Sequence, residues 1–202
     1  EEEEKKLLQK WEINKEKKII LMPGRLTSWK GQELFIKSIH LVKTELGYEA
    51  FHVVILGSEQ GRDLYKNKLV NLTEQYNLSN QIKFIDHCED MALAYKVSDI
   101  VVSASIEPEA FGRVAVEAQS MKKLIIASNI GGSNETIING KTGILFDSGD
   151  ATSLSKKIIQ ALTMDEATIK LIGEEARKNI IKKFNVEKMC FSTYSEYKRL
   201  LN

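Results

Sequence analysis

Two stretches of this sequence set charged side chains beside glycines at spacings suited to an anionic, hydroxyl-bearing ligand. The first is Pro23-Gly24-Arg25-Leu26-Thr27-Ser28-Trp29-Lys30-Gly31. Glycines at both ends let the backbone turn tightly or lie close against a ligand. Arg25 brings a forked guanidinium and Lys30 a point-charge ammonium, a combination that fits a diphosphate. Taken alone, the stretch is equally well explained as a solvated loop with incidental charges. The second stretch is Ser103-Ala104-Ser105-Ile106-Glu107-Pro108-Glu109-Ala110-Phe111-Gly112-Arg113-Val114-Ala115-Val116-Glu117-Ala118. Pro108 stiffens this loop, and Gly112 marks the start of a helix. The first turn of such a helix offers free backbone N–H groups and a positive dipole end, which together make an anion site. Glu109 falls just before that start and Glu117 more than a turn inside it. Carboxylates accept hydrogen bonds from hydroxyls, so sugar and ribose hydroxyls are natural targets. The dipole's preference for acids at helix starts explains Glu109 acceptably. It explains Glu117 poorly, because small apolar residues surround it.

Other familiar chemistries lack their residues. Neither GxGxxG nor GxxxxGK[ST] occurs, and Gly57-Ser58-Glu59-Gln60-Gly61 has the wrong spacing for a dinucleotide fingerprint, which argues against an NAD enzyme and a P-loop ATPase. Cys88 and Cys190 are isolated, with no CxxC or Cys/His cluster, so neither a zinc site nor a disulfide framework is expected and a reducing cytoplasm fits best. No DxD triplet is present, and no metal site is expected. A lone His87 beside a strand end reads as structural or exposed rather than as a base. His40 and His52 carry no assignment, and Trp29 reads as an anchor of its turn.

The elements that must position the two stretches follow from hydrophobic periodicity. Short runs rich in Ile and Val at 19–22, 51–56, 82–85, 100–102, 124–127 and 143–146 mostly do not alternate with polar residues, as expected of parallel strands buried on both faces. Helical patterns fill the gaps: Leu34, Ile36, Ile39 and Val42; Leu64, Leu69, Val70, Leu72 and Tyr76; and shorter segments at 91–97 and 114–121. This alternation predicts an α/β fold, a doubly wound, Rossmann-like parallel sheet of about six strands with helices on both faces and ligands at the strands' carboxyl ends. After Phe146 come only helices, one starting at Asp150, Thr152 and Ser153 and others over 166–184 and 186–201, a tail expected to pack on the sheet or on a neighbour.

Composition sets the outer bounds. In 202 residues, 29 Lys and Arg meet 28 Asp and Glu, and a net charge of +1 gives no general pull toward nucleic acid or anionic lipid. Charged residues at 28% and hydrophobic ones at 43% describe a soluble globular chain rather than a disordered one. No apolar run approaches the ~20 residues that span a bilayer, and no signal-peptide pattern is seen. The start at Glu1, inside EEEEKKLLQKW, reads as a helix entered partway along, so the chain is expected to be one domain of a longer protein.

The loop carrying Gly24, Arg25, Lys30 and Gly31, followed by PEAFGRVAVEA with Glu109 and Glu117, resembles the donor half of a retaining GT-B glycosyltransferase of family 4, the glycosyl transferases group 1 domain. The resemblance runs from about Lys18 to the final helices. It implies that residues 1–202 are the C-terminal, nucleotide-sugar-binding domain, and that an N-terminal acceptor-binding domain is absent from this chain. By the same resemblance Arg25 and Lys30 hold the donor diphosphate, Glu109 contacts the donor sugar's hydroxyls, and Glu117 binds the ribose. Phe111, Gly112, Arg113 and Val114 match the turn whose amides approach sugar and phosphates, with Gly24 on the facing loop. Asp86 and His87 lie where the nucleobase is seated. The implied activity is a metal-independent, hexosyltransferase-like transfer from a UDP- or GDP-sugar, without cofactor, to an acceptor glycan or lipid-linked glycan held by the missing domain. The fragment alone is expected to be inactive, and the full enzyme cytoplasmic or peripheral at the inner face of the cell membrane, in envelope polysaccharide synthesis. A non-catalytic nucleotide-sugar-binding module and a GT-B-related epimerase are the alternatives. Lys122, Leu124 and Asn134 stand where the family usually has Gly or Pro, which puts sugar specificity in question more than activity.

Overall fold

The computed structural model describes residues 1–46 and 51–201. The Ile- and Val-rich runs form six strands: β1 (Lys18–Pro23), β2 (Phe51–Leu56), β3 (Ile82–Ile85), β4 (Ile100–Ser103), β5 (Leu124–Ser128) and β6 (Ile144–Phe146). All pairings are parallel, in the order β3-β2-β1-β4-β5-β6. Chain order reverses between β1 and β4, which opens a crevice at the carboxyl ends of these two strands. The two charged stretches leave the sheet on either side of it. Gly143, expected as the first residue of the last strand, instead makes an isolated bridge with Asn139.

The strands read as unbroken apolar runs because both faces are covered. Ile20 and Met22 of β1 enter one core cluster, and Ile19 and Leu21 enter the other. The first cluster is closed by α2 (Gln32–Leu46), α3 (Asp63–Gln75) and α7 (Ala151–Thr163). The second is closed by α1 (Glu2–Lys10), α4 (Met91–Val97) and α5 (Arg113–Ser120). The expected α3 stripe fails at its first member, since Leu64 is 89% exposed and the buried face begins at Leu69. In α2, Phe35 adds a fully buried ring that the expected stripe omits. Asp150 caps α7 by accepting from the amides of Thr152 and Ser153.

A four-residue turn, α6 (Ser133–Thr136), follows β5, and α8 (Glu166–Lys183) and α9 (Val186–Leu201) complete the chain. α8 packs on α5, and Gly173 brings the two together: a Cβ there would lie 2.3 Å from the Lys122 carbonyl oxygen. α9 has no buried residue and exposes Val186, Met189, Phe191, Tyr194, Tyr197 and Leu200. No helix among the described residues is long and apolar enough to cross a membrane.

The turn at Lys122 adopts the left-handed backbone that glycine favours, with a lysine in its place. Lys122 takes φ +58°, its amide donates to the Gln119 carbonyl at 3.0 Å, and the Lys123 amide donates to Ala118 at 2.9 Å, the paired bonds of a Schellman end. Lys122 Nζ then ties the turn to Glu174 of α8 at 2.7 Å. Asn134 likewise fits its turn, its amide donating to the Gly131 carbonyl at 3.1 Å.

Candidate functional site

The crevice between β1 and β4 gathers most of the residues singled out in the sequence. Arg25 follows β1 at its mouth, and the Gln32 side chain holds the Arg25 carbonyl by donating to it at 2.9 Å. A single 3-10 turn, Ser28–Lys30, then carries Lys30 back over the sheet. Gly31 makes that return possible: its φ is +77°, and a Cβ would lie 1.9 Å from the Ala104 carbonyl oxygen just beyond β4. The two loops are thus in backbone contact, and the Ile106 amide donates to the Trp29 carbonyl at 2.8 Å.

That contact brings Lys30 to Glu109, 79 positions later in the sequence. Lys30 Nζ lies 2.8 Å from Glu109 Oε1, with both side chains largely buried. The same oxygen accepts from Ser105 Oγ at 2.5 Å. The ammonium also sits 4.4 Å from the centre of the Trp29 ring. Glu109 is fixed from behind by the loop after β5. The Gly132 amide donates to the Glu109 carbonyl at 2.8 Å, and Gly131, at φ +57°, leaves no room for a Cβ, which would lie 2.7 Å from that same carbonyl oxygen.

Gly112 stands in the left-handed region at the N-cap of α5. The Ala115 amide already donates to the Gly112 carbonyl at 3.0 Å, and the turn ahead of it, at Gly112, Arg113 and Val114, borders the cleft with the positive end of the dipole. Arg113 and Val114 open the helix, and Glu117, half-buried, lies one turn further on. Its Oε2 accepts from the hydroxyl of Tyr95 on α4 at 2.8 Å. Burial, followed by the Glu117 charge, pushes the Tyr95 phenol far above its ordinary range, so it remains a donor. Among the described residues neither Arg25 nor Arg113 belongs to an ion pair.

The cavity has two adjoining compartments. One, of about 370 Å³, contains Lys30, Glu109, Phe111 and Gly112; the other, of about 480 Å³, contains Gly57, Asp86, His87, Cys88 and Tyr95. Gly24, Arg25, Arg113, Val114 and Glu117 line both and form the passage between them. Each predicted site residue therefore borders this cleft, though two have further engagements. Asp86 pairs with Lys66 at 2.6 Å on the outer wall. Phe111 is 44% exposed and packs edge-on against Phe184 at the end of α8, 5.6 Å between centroids. Among the described residues no group of three His, Cys, Asp or Glu side chains is placed to hold a metal ion.

Sequence reasoning missed Tyr95 and Ser105, the two hydroxyls that hold the two acids. Tyr95 gave a signal: a phenol in a short helix of Ala, Leu and Val must bring a partner for its buried hydroxyl. Ser105 gave none, since serine is ordinary in a loop. Gly131 and Gly132, in the loop after β5, permit the close approach of the Glu109–Phe111 backbone.

Comparison with known proteins places this geometry in a wider set. The sequence profile of "Glycosyl transferases group 1" matches residues 3–184. The capsular polysaccharide biosynthesis glycosyltransferase CapM of Staphylococcus aureus is 28% identical over 178 residues, 88% of this chain and 45% of that protein. A glycosyltransferase crystal structure from Rickettsia africae superposes on the whole of this chain with a TM-score of 0.93 at 35% identity, covering 52% of that molecule. The crystallised C-terminal domain of LpcC, a glycosyl transferase group 1 protein from Francisella tularensis, matches at 27% identity and a TM-score of 0.76, over 88% of this chain and 92% of that one. The chain thus spans about half the length of the longer relatives it matches.

Proposed function

The chain belongs to the glycosyl transferases group 1 family, and from that premise we propose that it is the C-terminal, donor-binding lobe of a retaining glycosyltransferase that moves a sugar from a nucleoside-diphosphate sugar to an acceptor hydroxyl. The observation that carries this reading is the convergence of Arg25, Lys30, the first turn of α5 and two separately anchored carboxylates on one cleft at the reversal of strand order. The diphosphate lies in the passage between the compartments, where Arg25, Lys30 and the α5 amides surround it. As the bond from the anomeric carbon to the diphosphate breaks, negative charge grows on the leaving oxygen. Fixed cations and amides in a partly dehydrated cleft stabilise that charge with little reorganisation. The sugar lies in the Lys30 compartment, where Glu109 accepts from its hydroxyls. The nucleoside lies in the other, with Glu117 on the ribose and the base against the wall at Asp86 and His87. Retention, hexosyl transfer, a UDP- or GDP-sugar as donor, and independence of metal and cofactor follow from the family resemblance, with Arg25, Lys30 and α5 supplying the positive charge.

Exposed apolar side chains along α9 fit a chain that packs against a second, acceptor-binding lobe. The match to an isolated C-terminal domain in LpcC supports the same division. On this reading the acceptor glycan or lipid-linked glycan binds in the other lobe, and the enzyme acts in the cytoplasm or at the inner membrane face; the relative CapM is named for capsular polysaccharide biosynthesis, in keeping with a glycan acceptor. The lobe alone then transfers no sugar.

Calorimetric titration of the 202-residue chain with UDP, GDP and ADP tests the reading. Saturable binding of at least one is expected, weakened roughly tenfold or more in Arg25→Ala, the usual scale for losing a hydrogen bond to a charged group. No saturable signal with any of the three overturns it.

A further inference from the structure

We infer that Tyr95 is a positioning residue for nucleotide recognition: its hydroxyl holds one oxygen of Glu117 so that the other stays aimed at the ribose, and it thereby sets the preference for ribonucleotides over 2′-deoxyribonucleotides. This inference rests on the reading of Glu117 as the ribose-binding acid.

Three features of the geometry point to it. The Tyr95 ring is 2% exposed, in the same buried cluster as Ala115 and Ala118 of α5, and its backbone is secured by Ser98 Oγ donating to the Tyr95 carbonyl at 2.8 Å. A hydroxyl on so confined a ring has few places to go, and it donates to Glu117 Oε2 at 2.8 Å. Glu117 has no ion pair among the described residues, so this neutral donor is what orients the carboxylate. A carboxylate has about four acceptor positions, and one bond to Oε2 leaves Oε1 free for a vicinal diol. Finally, α4 starts directly after the loop bearing Asp86 and His87, where Asp90 caps it by accepting from the Leu93 amide at 2.9 Å. Tyr95 therefore links the wall that faces the base to the acid that faces the ribose.

The test compares UDP, GDP and ADP with their 2′-deoxy counterparts, titrated into the wild-type chain, Tyr95→Phe, Glu117→Ala and the double variant. Phenylalanine keeps the ring, and circular dichroism with thermal melting checks that each variant is folded. Tyr95→Phe is expected to weaken the ribonucleotide roughly five- to tenfold, the scale of one ordinary net hydrogen bond, and the deoxynucleotide distinctly less. In the Glu117→Ala background the same substitution should change affinity less than about twofold, because the two residues act as one unit. A merely structural role would lower the melting temperature and both affinities alike, leaving the ribo-to-deoxy ratio intact, and that result overturns the inference. If Glu117→Ala abolishes the preference while Tyr95→Phe leaves it, the ribose reading stands and the role of Tyr95 is refuted. If Glu117→Ala itself changes nothing, both fall.

Discussion

Glu109 and Glu117 sit on one cleft and are held in opposite ways. Glu109, on a loop, has a single oxygen shared by the Lys30 ammonium and the Ser105 hydroxyl. Glu117, inside a helix, has among the described residues the neutral phenol of Tyr95 as its side-chain partner. The first acid has a cationic partner before any ligand arrives, and the second has none among the described residues. A largely buried ion pair has already traded solvation for its partner, so Oε1 of Glu109 becomes available to a ligand only as Lys30 turns toward another anion. Glu117 needs no such exchange. On the proposed reading the diphosphate draws Lys30 away first, and the sugar's hydroxyls then take over Glu109, whereas ribose contacts form independently of both.

The sharpest way to separate the two seats is Gly131→Ala. Alanine at φ +57° costs about 1–2 kcal/mol, and a Cβ 2.7 Å from the Glu109 carbonyl oxygen adds overpacking of about 1–3 kcal/mol. Urea denaturation should show the chain weakened by roughly the sum. Titrations should show the extra affinity of a nucleotide-sugar over its nucleoside diphosphate largely lost, with affinity for the nucleoside diphosphate itself nearly kept. Equal losses for both ligands would break the comparison.

A smaller effect is expected from Ser105→Ala, which leaves Lys30 as the one remaining side-chain partner of Glu109 among the described residues. Affinity for a nucleotide-sugar should fall roughly three- to tenfold, the nucleoside diphosphate should be unaffected, and Ser105→Thr should recover most of the loss. A change confined to the nucleoside diphosphate would show that Ser105 serves the wrong compartment.

The smallest effect belongs to His52, which lies near the amino end of β2 in register with Ile19, away from both acids. Burial, then the charges of Lys17 and Lys83, lower its pKa, and among the described residues neither ring nitrogen has a hydrogen-bond partner. The unfolded chain takes up a proton near pH 6.5, whereas the folded chain resists it. Stability should therefore fall as the pH drops through 6.5, by no more than about 1.4 kcal/mol per pH unit from this group. Thermal melts of wild type and His52→Gln from pH 8 to 5.5 should converge at high pH and separate in acid, with ligand preference unchanged; parallel curves would remove His52 as the cause.

Local pattern carried the sheet and the helix starts into view, because strand runs buried on both faces and caps such as Asp150 are written in a few adjacent residues. Arg25, Lys30, Glu109 and Glu117 were legible for a related reason: they stand on the two loops that the switch in strand order must bring together. Which of them touch was not legible. The Lys30–Glu109 pair depends on the return of one loop at Gly31, and the Tyr95–Glu117 bond on how α4 lies against α5, both settled by packing over long separations. Leu64 shows the converse failure, since a helical stripe near a sheet's rim runs past the body it should cover.

The close seat of Gly173 on the Lys122 carbonyl makes α8 a strut. From that seat to Phe184 the helix runs eleven positions, about 16 Å at 1.5 Å per residue, and at its far end Phe184 meets Phe111 in the wall of the cleft. Any side chain at position 173 must lift the helix off its bearing. That tilt would arrive at Phe111, so a substitution outside the cleft would alter the shape of the compartment that holds Lys30 and Glu109 by leverage alone.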